Sequence, residues 1–329
     1  MHEGVASGDL EKVLDIIRAE GLRYRQNNQA DIDRIVVLGE IPDGFQDKVK
    51  LPCVQDIVSL PYRLVSRAYH PDDTVVDVNG VKIGGDNPPV MVAGPCSVSE
   101  DKSFLLETAH AVKGAGAQIF RGSAYKPRTS PHDFQGVGQI GLEYMQEAGQ
   151  KFGLQTISEA VGEGHVDPVS NYISIIHVGS RNCQSFQLLI KAGKVAYDKK
   201  KPVLLKRGMW TSLTDFLCAA EYIANEGCDD IILCLRGVSP STGHTRYRSD
   251  MDEIPALREL THLPVIWDPS HSTGHARYVP ESAMAAIALG AQALMVEASV
   301  DPSREPCDAK QHVTPATLKE MVQYAKSQK

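Results

Sequence analysis

Four residues of metal-ligand type stand at or just beyond the ends of short apolar runs: Cys96, His271, Glu297 and Asp308. One soft sulfur, one imidazole and two carboxylates suit a borderline divalent ion such as Mn, Fe, Co or Zn. They suit Ca or Mg less well, since those ions prefer oxygen alone. A metal held in this way would act as a Lewis acid on a carbonyl oxygen. Singly, each residue has a plainer role: a cysteine after a strand is more often core, and a lone histidine or glutamate there is more often hydrogen-bonded structure. Together the four favour a metal site.

A second group is cationic: Arg121, Lys126, Arg128, Arg181, Lys206 and Arg236 lie at or after four of the runs, the second, fourth, fifth and sixth, in a chain whose net charge is -7. Six cations gathered at one place repel one another unless an anion sits between them. Guanidinium forks grip phosphate and carboxylate oxygens bidentately and lysine adds a point charge, so a ligand with several anionic groups is expected. Any one of the six could as well be a salt-bridged rim residue. Arg207, next to Lys206, points to the other side of its strand and reads as structural.

The elements that must position these groups are eight apolar runs: 89–94, 117–123, 154–160, 173–180, 202–208, 230–237, 263–269 and 293–299. They alternate with amphipathic stretches such as SFLLETAHAVKGAG, SLTDFLCAAEYIANEG and ESAMAAIALG. This alternation is the pattern of βα units around a parallel sheet, and eight of them make a (β/α)8 TIM barrel of the α/β class. In such a barrel the chemistry projects from the C-terminal strand ends, which is where Cys96, Arg121, Glu159, Arg181, Lys206, Arg236, Asp268 and Glu297 fall. Strands 1, 7 and 8, which carry the ligand set, become neighbours on closure.

Ahead of the barrel, TVVDVNGVKIGG puts Asn-Gly between two alternating runs, a hairpin signal expected to close the barrel floor. Residues 1–68 read as a separate small domain and 69–329 as the catalytic barrel, with the boundary near PYRLVSRAYHPDD. The small domain is read as helix DLEKVLDIIRAEG, strand DRIVVLGEI, a helical segment near FQDKVK and strand CVQDIVSL, a ferredoxin-like module. Because MHEG is too short to supply a first strand, this module is expected to be incomplete, with an open edge.

Composition narrows the function classes. A hydrophobic share of 42% with 23% charged residues is ordinary for a globular protein, and the acidic balance disfavours nucleic acid or an anionic membrane as a general partner. MHEGVASGDLEKV lacks the basic and apolar regions of a secretory signal. Seven cysteines without regular spacing fit a reducing compartment, so a cytoplasmic protein is expected.

The string from Arg121 to Pro131, RGSAYKPRTSP, together with AGPCSV (93–98), GSRNCQ (179–184), LLKRG (204–208) and DPSHS (268–272), resembles the type Iβ 3-deoxy-D-arabino-heptulosonate 7-phosphate (DAHP) synthases. The likeness runs from about residue 60 to the end. It implies a metal-dependent transferase joining phosphoenolpyruvate to erythrose 4-phosphate, the first step of the shikimate route to aromatic amino acids. The nearest alternative is 3-deoxy-manno-octulosonate 8-phosphate synthase, which shares the barrel. Lys126-Pro127-Arg128-Thr129-Ser130 favours the DAHP branch over it. A noncatalytic barrel partner is a third reading, disfavoured because no ligand or cation is missing.

Residue by residue, the resemblance implies metal ligation by Cys96, His271, Glu297 and Asp308. It gives the phosphoenolpyruvate carboxylate to Arg121, Lys126 and Lys206, and its phosphate to Arg181, Arg236 and the Ser180 N–H, with Glu159 near through water. The erythrose 4-phosphate phosphate falls to Arg128 and Thr129. Lys126 is the expected proton donor, and Asp268 orients a ligand or a water. Two departures stand out: Leu235 where many members have Glu, expected to face away from the pocket, and Cys307 beside Asp308, expected to form a disulfide with Cys96 on oxidation of the apoprotein. The resemblance also implies a homo-oligomer, dimer or tetramer, and inhibition by tyrosine or phenylalanine through the small domain.

Overall fold

The computed structural model describes residues 1, 7–29, 32–241 and 243–328. Eight parallel strands close into a barrel: β5 (Val90–Gly94), β6 (Ile119–Arg121), β7 (Gln155–Glu159), β8 (Ile175–Val178), β9 (Val203–Lys206), β10 (Ile231–Leu235), β11 (Val265–Trp267) and β12 (Ala293–Glu297). Before them come strands β1 (Arg23–Gln29) and β2 (Ile32–Leu38), paired antiparallel, and the hairpin β3 (Val76–Val78) and β4 (Val81–Ile83). The expected TIM barrel is thus present, with each of the eight apolar runs supplying one strand.

Burial on both faces explains why these strands read as continuous apolar runs. One set of side chains, including Phe120, Leu205, Leu235 and Trp267, packs outward against the surrounding helices. The alternate set, including Val92, Ile119, Ile157, Ile175, Leu204, Cys234, Ile266 and Met295, fills the barrel interior. Leu235 therefore faces away from the pocket, as expected. Val76, Val78 and Ile83 of the β3–β4 hairpin join the interior set and close the floor. Its turn residues Asn79 and Gly80 both have positive φ, 49° and 93°, as a type I′ turn demands.

The N-terminal unit differs from its sequence reading in two places. The helix is found at Ser7–Ala19, the strand DRIVVLGEI as β2, and the helical segment at Phe45–Lys48. The polar stretch RYRQNNQ forms β1, which carries no apolar alternation to announce it. The expected strand at CVQDIVSL is not formed: residues 54–60 have no regular structure, and Ile57 and Val58 stand exposed. A strand needs a ladder partner, and among the described residues β2 pairs only with β1, leaving a cavity of about 570 Å³ between β2 and this segment. The expected shortfall of a first strand at MHEG concerns residues 2–4, which lie outside the described residues. Arg25 pairs with Asp229, and Glu221 accepts the N–H groups of Leu64 and Val65, so the unit is tied to the barrel wall.

Candidate active site

Inward alternation decides what the mouth contains. Two residues beyond the last interior apolar side chain, Ile119 is followed by Arg121, Ile157 by Glu159, Ile175 by His177 and Leu204 by Lys206. On the remaining strands Cys234 leads to Arg236, Ile266 to Asp268 and Met295 to Glu297. A period of two turns each strand's last inward position into a site residue. Cys96 follows β5 and is fully buried.

Cys96, His271, Glu297 and Asp308 come together, each offering a ligand atom within 4.8 Å of the others. Asp268 builds this arrangement locally. One of its oxygens accepts the His271 backbone N–H at 2.8 Å, capping the short helix Pro269–Thr273. The other lies 2.8 Å from His271 Nδ1, which makes Nδ1 the protonated nitrogen and turns the Nε2 lone pair toward Glu297 and Asp308. Burial pushes the His271 imidazole down to about 4, so it is neutral near pH 7, as a ligand must be. Burial opposes ionisation of Glu297, but with His271 neutral the buried Arg121 guanidinium, 3.3 Å from Glu297 Oε1, favours the carboxylate. Its Oε1 is buried and accepts no hydrogen bond among the described residues, although the Arg121 guanidinium lies 3.3 Å away. A buried anionic oxygen with that free acceptor capacity, beside a thiol, an imidazole and a second carboxylate, fits a divalent cation.

Asp308 comes from a loop, with its backbone in the left-handed region at φ 56°. His312 spans the gap to the first strand: its Nε2 accepts the Cys96 N–H at 3.1 Å, and its Nδ1 lies 3.0 Å from the Asp308 carbonyl. Cys307 Sγ lies 3.0 Å from Ser97 Oγ, and the Cys96 thiol donates to Asp308 Oδ2 at 3.3 Å.

The cations line an adjoining cavity of about 160 Å³. Arg121, Lys126, Arg128, Arg181, Lys206, Arg236 and Arg246 face it against three carboxylates, Asp133, Glu159 and Asp308, so the cavity is built for an anion. Among the described residues Arg236 leaves Nε and Nη1 buried without acceptors, while Arg121 Nη1 faces Glu297 Oε1 at 3.3 Å. Lys206 is paired with Asp268, and Lys126 donates to the Cys96 carbonyl at 3.1 Å. Burial would favour neutral Lys126, but Cys96 and Glu159 raise its pKa and keep it charged. Glu159 is pushed upward by burial against the pull of Lys126 and Lys206. Thr129 accepts from Arg181 at 3.3 Å, Arg128 reaches Asp133, and Ser180 lines the wall. Arg207 takes no part: it pairs with buried Asp250 at 2.8 Å, the structural role expected of it.

Five contributors were not read from the sequence, His312 among them. His177 is buried in the cavity with Nε2 unpartnered, its charged form disfavoured first by burial and then by Lys206 and Arg121. Arg246 and Tyr247 arrive from the long segment after β10, and the Tyr247 ring lies 3.9 Å from the Arg236 guanidinium. Gln311 donates to Glu297 Oε2 at 2.6 Å.

Residues 72–329 match the family model described as the DAHP synthetase I family. The chain belongs to that family. Across 99% of its length it is 42% identical to the phospho-2-dehydro-3-deoxyheptonate aldolase of Thermotoga maritima, covering 96% of that protein. The crystal structure of that DAHP synthase superposes with a TM-score of 0.78 at 40% identity, covering 99% of this chain and 94% of the other. A truncated form from the same organism gives 0.74 at 42%, over 82% of this chain and 96% of the other. The octulosonate branch is more distant: a 2-dehydro-3-deoxyphosphooctonate aldolase of Geobacter sulfurreducens is 30% identical over 75% of the chain, spanning 96% of that protein. Membership in the DAHP synthetase I family makes the chain an enzyme of the DAHP synthase kind. No helix among the described residues is long and apolar enough to cross a membrane.

Proposed function

We propose that the mouth of this barrel condenses phosphoenolpyruvate with erythrose 4-phosphate and water, giving DAHP and inorganic phosphate. The observation that carries the reading is the contact between two unlike neighbours: a cluster of ligand type and a cavity lined by seven Arg and Lys side chains against three carboxylates, with two Arg236 nitrogens left without acceptors among the described residues. Cys96, His271, Glu297 and Asp308 hold a divalent ion, Mn, Fe, Co or Zn, which supplies Lewis-acid polarisation of the aldehyde oxygen.

The remaining work falls to side chains. Arg121, Lys126 and Lys206 grip the phosphoenolpyruvate carboxylate, and Arg181, Arg236 and the Ser180 N–H its phosphate. Arg128 and Thr129 take the erythrose 4-phosphate phosphate further out. With both phosphates fixed, C3 of phosphoenolpyruvate faces the aldehyde carbon, and the new C–C bond leaves positive charge at C2. Water held near Glu159 adds at C2, and phosphate leaves as the adduct collapses to the ketone. Lys126, kept charged, donates a proton to the new hydroxyl. Asp268 touches no substrate in this scheme; it fixes the His271 tautomer and balances Lys206.

Phosphate release with erythrose 4-phosphate or arabinose 5-phosphate, in Mn or in EDTA, tests the reading. Turnover is expected with the four-carbon sugar and Mn only. Preference for the five-carbon sugar would move the chain to the octulosonate branch, and no turnover with either would leave the noncatalytic reading.

The finer assignments follow from the same reading. The N-terminal unit serves as a ferredoxin-like regulatory domain, for which the 570 Å³ cavity beside β2 offers the volume of a small-molecule site. Full activity in millimolar tyrosine and phenylalanine would exclude that role. Exposed Phe186 and Tyr222, stacked at 4.7 Å between centroids, and exposed Trp210 favour a homo-oligomer, which light scattering would measure. The cytoplasm is the compartment that suits seven free thiols. In metal-free protein, peroxide oxidises Cys96 and Cys307 to a disulfide with release of water. A non-reducing peptide map without that bridge would dismiss this step.

A further inference from the structure

Asp308 is the least constrained of the four ligand residues, since it stands on a loop while Glu297 ends a strand and His271 sits on a capped helix. Its Oδ2 accepts from the Cys96 thiol at 3.3 Å, on the cluster side, and from outside the cluster its carboxylate is held by Arg246. Arg246 Nη1 lies 3.1 Å from Asp308 Oδ1 and donates to Gln311 Oε1 at 3.0 Å. Gln311 in turn donates to Glu297 Oε2 at 2.6 Å. A single guanidinium nitrogen thus reaches one carboxylate ligand directly and the other through one amide, and both contacts leave the opposite oxygen, Asp308 Oδ2 or Glu297 Oε1, facing the cluster.

Arg246 is itself fixed to the third ligand's support. Its N–H donates to the Thr273 carbonyl, and the next N–H, of Tyr247, donates to the Ser272 carbonyl, on the short helix that carries His271. The backbone approaches so closely that a Cβ on Gly274 would lie 2.6 Å from Arg246 Cβ. The Arg246–Asp308 pair is also shared between the substrate cavity and an outer groove of about 550 Å³ lined by His244, His275 and Lys310. It forms part of the wall between them.

We propose that Arg246 is a positioning residue of the metal centre, setting the orientation of Asp308 directly and of Glu297 through Gln311. This rests on the reading of Cys96, His271, Glu297 and Asp308 as metal ligands. A plain charge-neutralising arginine would act in the opposite sense, because a cation beside the site repels the metal, and its removal would tighten binding. The two roles therefore differ in sign.

The test is Mn(II) binding to metal-free protein, read from the electron paramagnetic resonance of free and bound Mn, for the parent, Arg246→Gln, Arg246→Lys and Asp308→Asn. Arg246→Gln is expected to weaken Mn binding about 10- to 100-fold and to alter the bound signal, as losses of groups behind a ligand do. Arg246→Lys, which keeps a donor for one partner only, should fall between. Gln311→Leu cuts only the Glu297 branch and serves if Arg246→Gln fails to fold; it should weaken binding by a smaller factor. Equal or tighter Mn binding in Arg246→Gln, or in Gln311→Leu where that variant stands in, overturns the proposal. A parent that binds Mn no better than Asp308→Asn would instead overturn the metal reading beneath it.

Discussion

The two ends of this barrel are made from the same eight strands and obey opposite rules. At the floor, Val76, Val78 and Ile83 of the hairpin meet interior side chains such as Ile119, Ile157 and Ile232, with no charge among them. At the mouth, one step of alternation further along, Arg121, Glu159, Lys206, Asp268 and Glu297 are each no more than 5% exposed. Burying ions costs free energy that an apolar layer gains. The floor holds the molecule together, and the mouth spends some of that stability on a charged surface shaped for a ligand.

Substitutions should separate the two ends. The largest effect is expected from Asp308→Asn or Cys96→Ser: about a thousandfold or greater loss of phosphate release in Mn, with melting of the metal-free protein little changed. Retained activity would break the assignment of chemistry to this end. At the floor, Ile83→Ala should cost about 2 to 4 kcal/mol of stability by leaving a cavity, with KM for both substrates unchanged. A shifted KM would show that the ends are not independent.

A subtler case is Gly179→Ala, whose Cβ would stand 1.9 Å from Glu159 Oε1. Displacing Glu159 by that contact should lower kcat/KM about a hundredfold, as misplacements near 1 Å do, while leaving the fold intact. The smallest effect is one of stability at the mouth. Burial pushes the Glu305 carboxyl up to about 7. Between its ordinary value of 4.5 and that point the folded state keeps a proton that the unfolded chain has released. Stability therefore falls as pH rises through that window and levels off above it. Glu305→Gln should lack this contribution, gaining about 3 kcal/mol on the parent between pH 4 and pH 8 in denaturant titrations. Parallel profiles would mean that folding does not shift the Glu305 carboxyl.

The barrel was legible because burial on both faces writes a parallel strand as an unbroken apolar run, and because turns such as Asn79-Gly80 carry their own signature. The N-terminal unit was less so. RYRQNNQ is polar on both faces and is a strand only because β2 pairs with it, while CVQDIVSL has the composition of a strand and no partner. In the site, looking beyond each run found Arg181 after β8 but passed over His177 inside it. Counting inward positions by twos from Ile175 would have found the imidazole. Arg246, Tyr247 and Gln311 had no such signal, since they come from long connections whose path no periodicity fixes.

The guanidinium nitrogens of Arg236 left without acceptors among the described residues have a consequence for the lifetime of the protein. A small polyanion that fills their cavity binds the folded chain and not the unfolded one, so it raises the free energy of unfolding in proportion to the logarithm of its concentration. When such anions are plentiful the chain opens less often to proteases, and when they are scarce it opens more. The abundance of the enzyme is thereby tied to the supply of the molecules that occupy it.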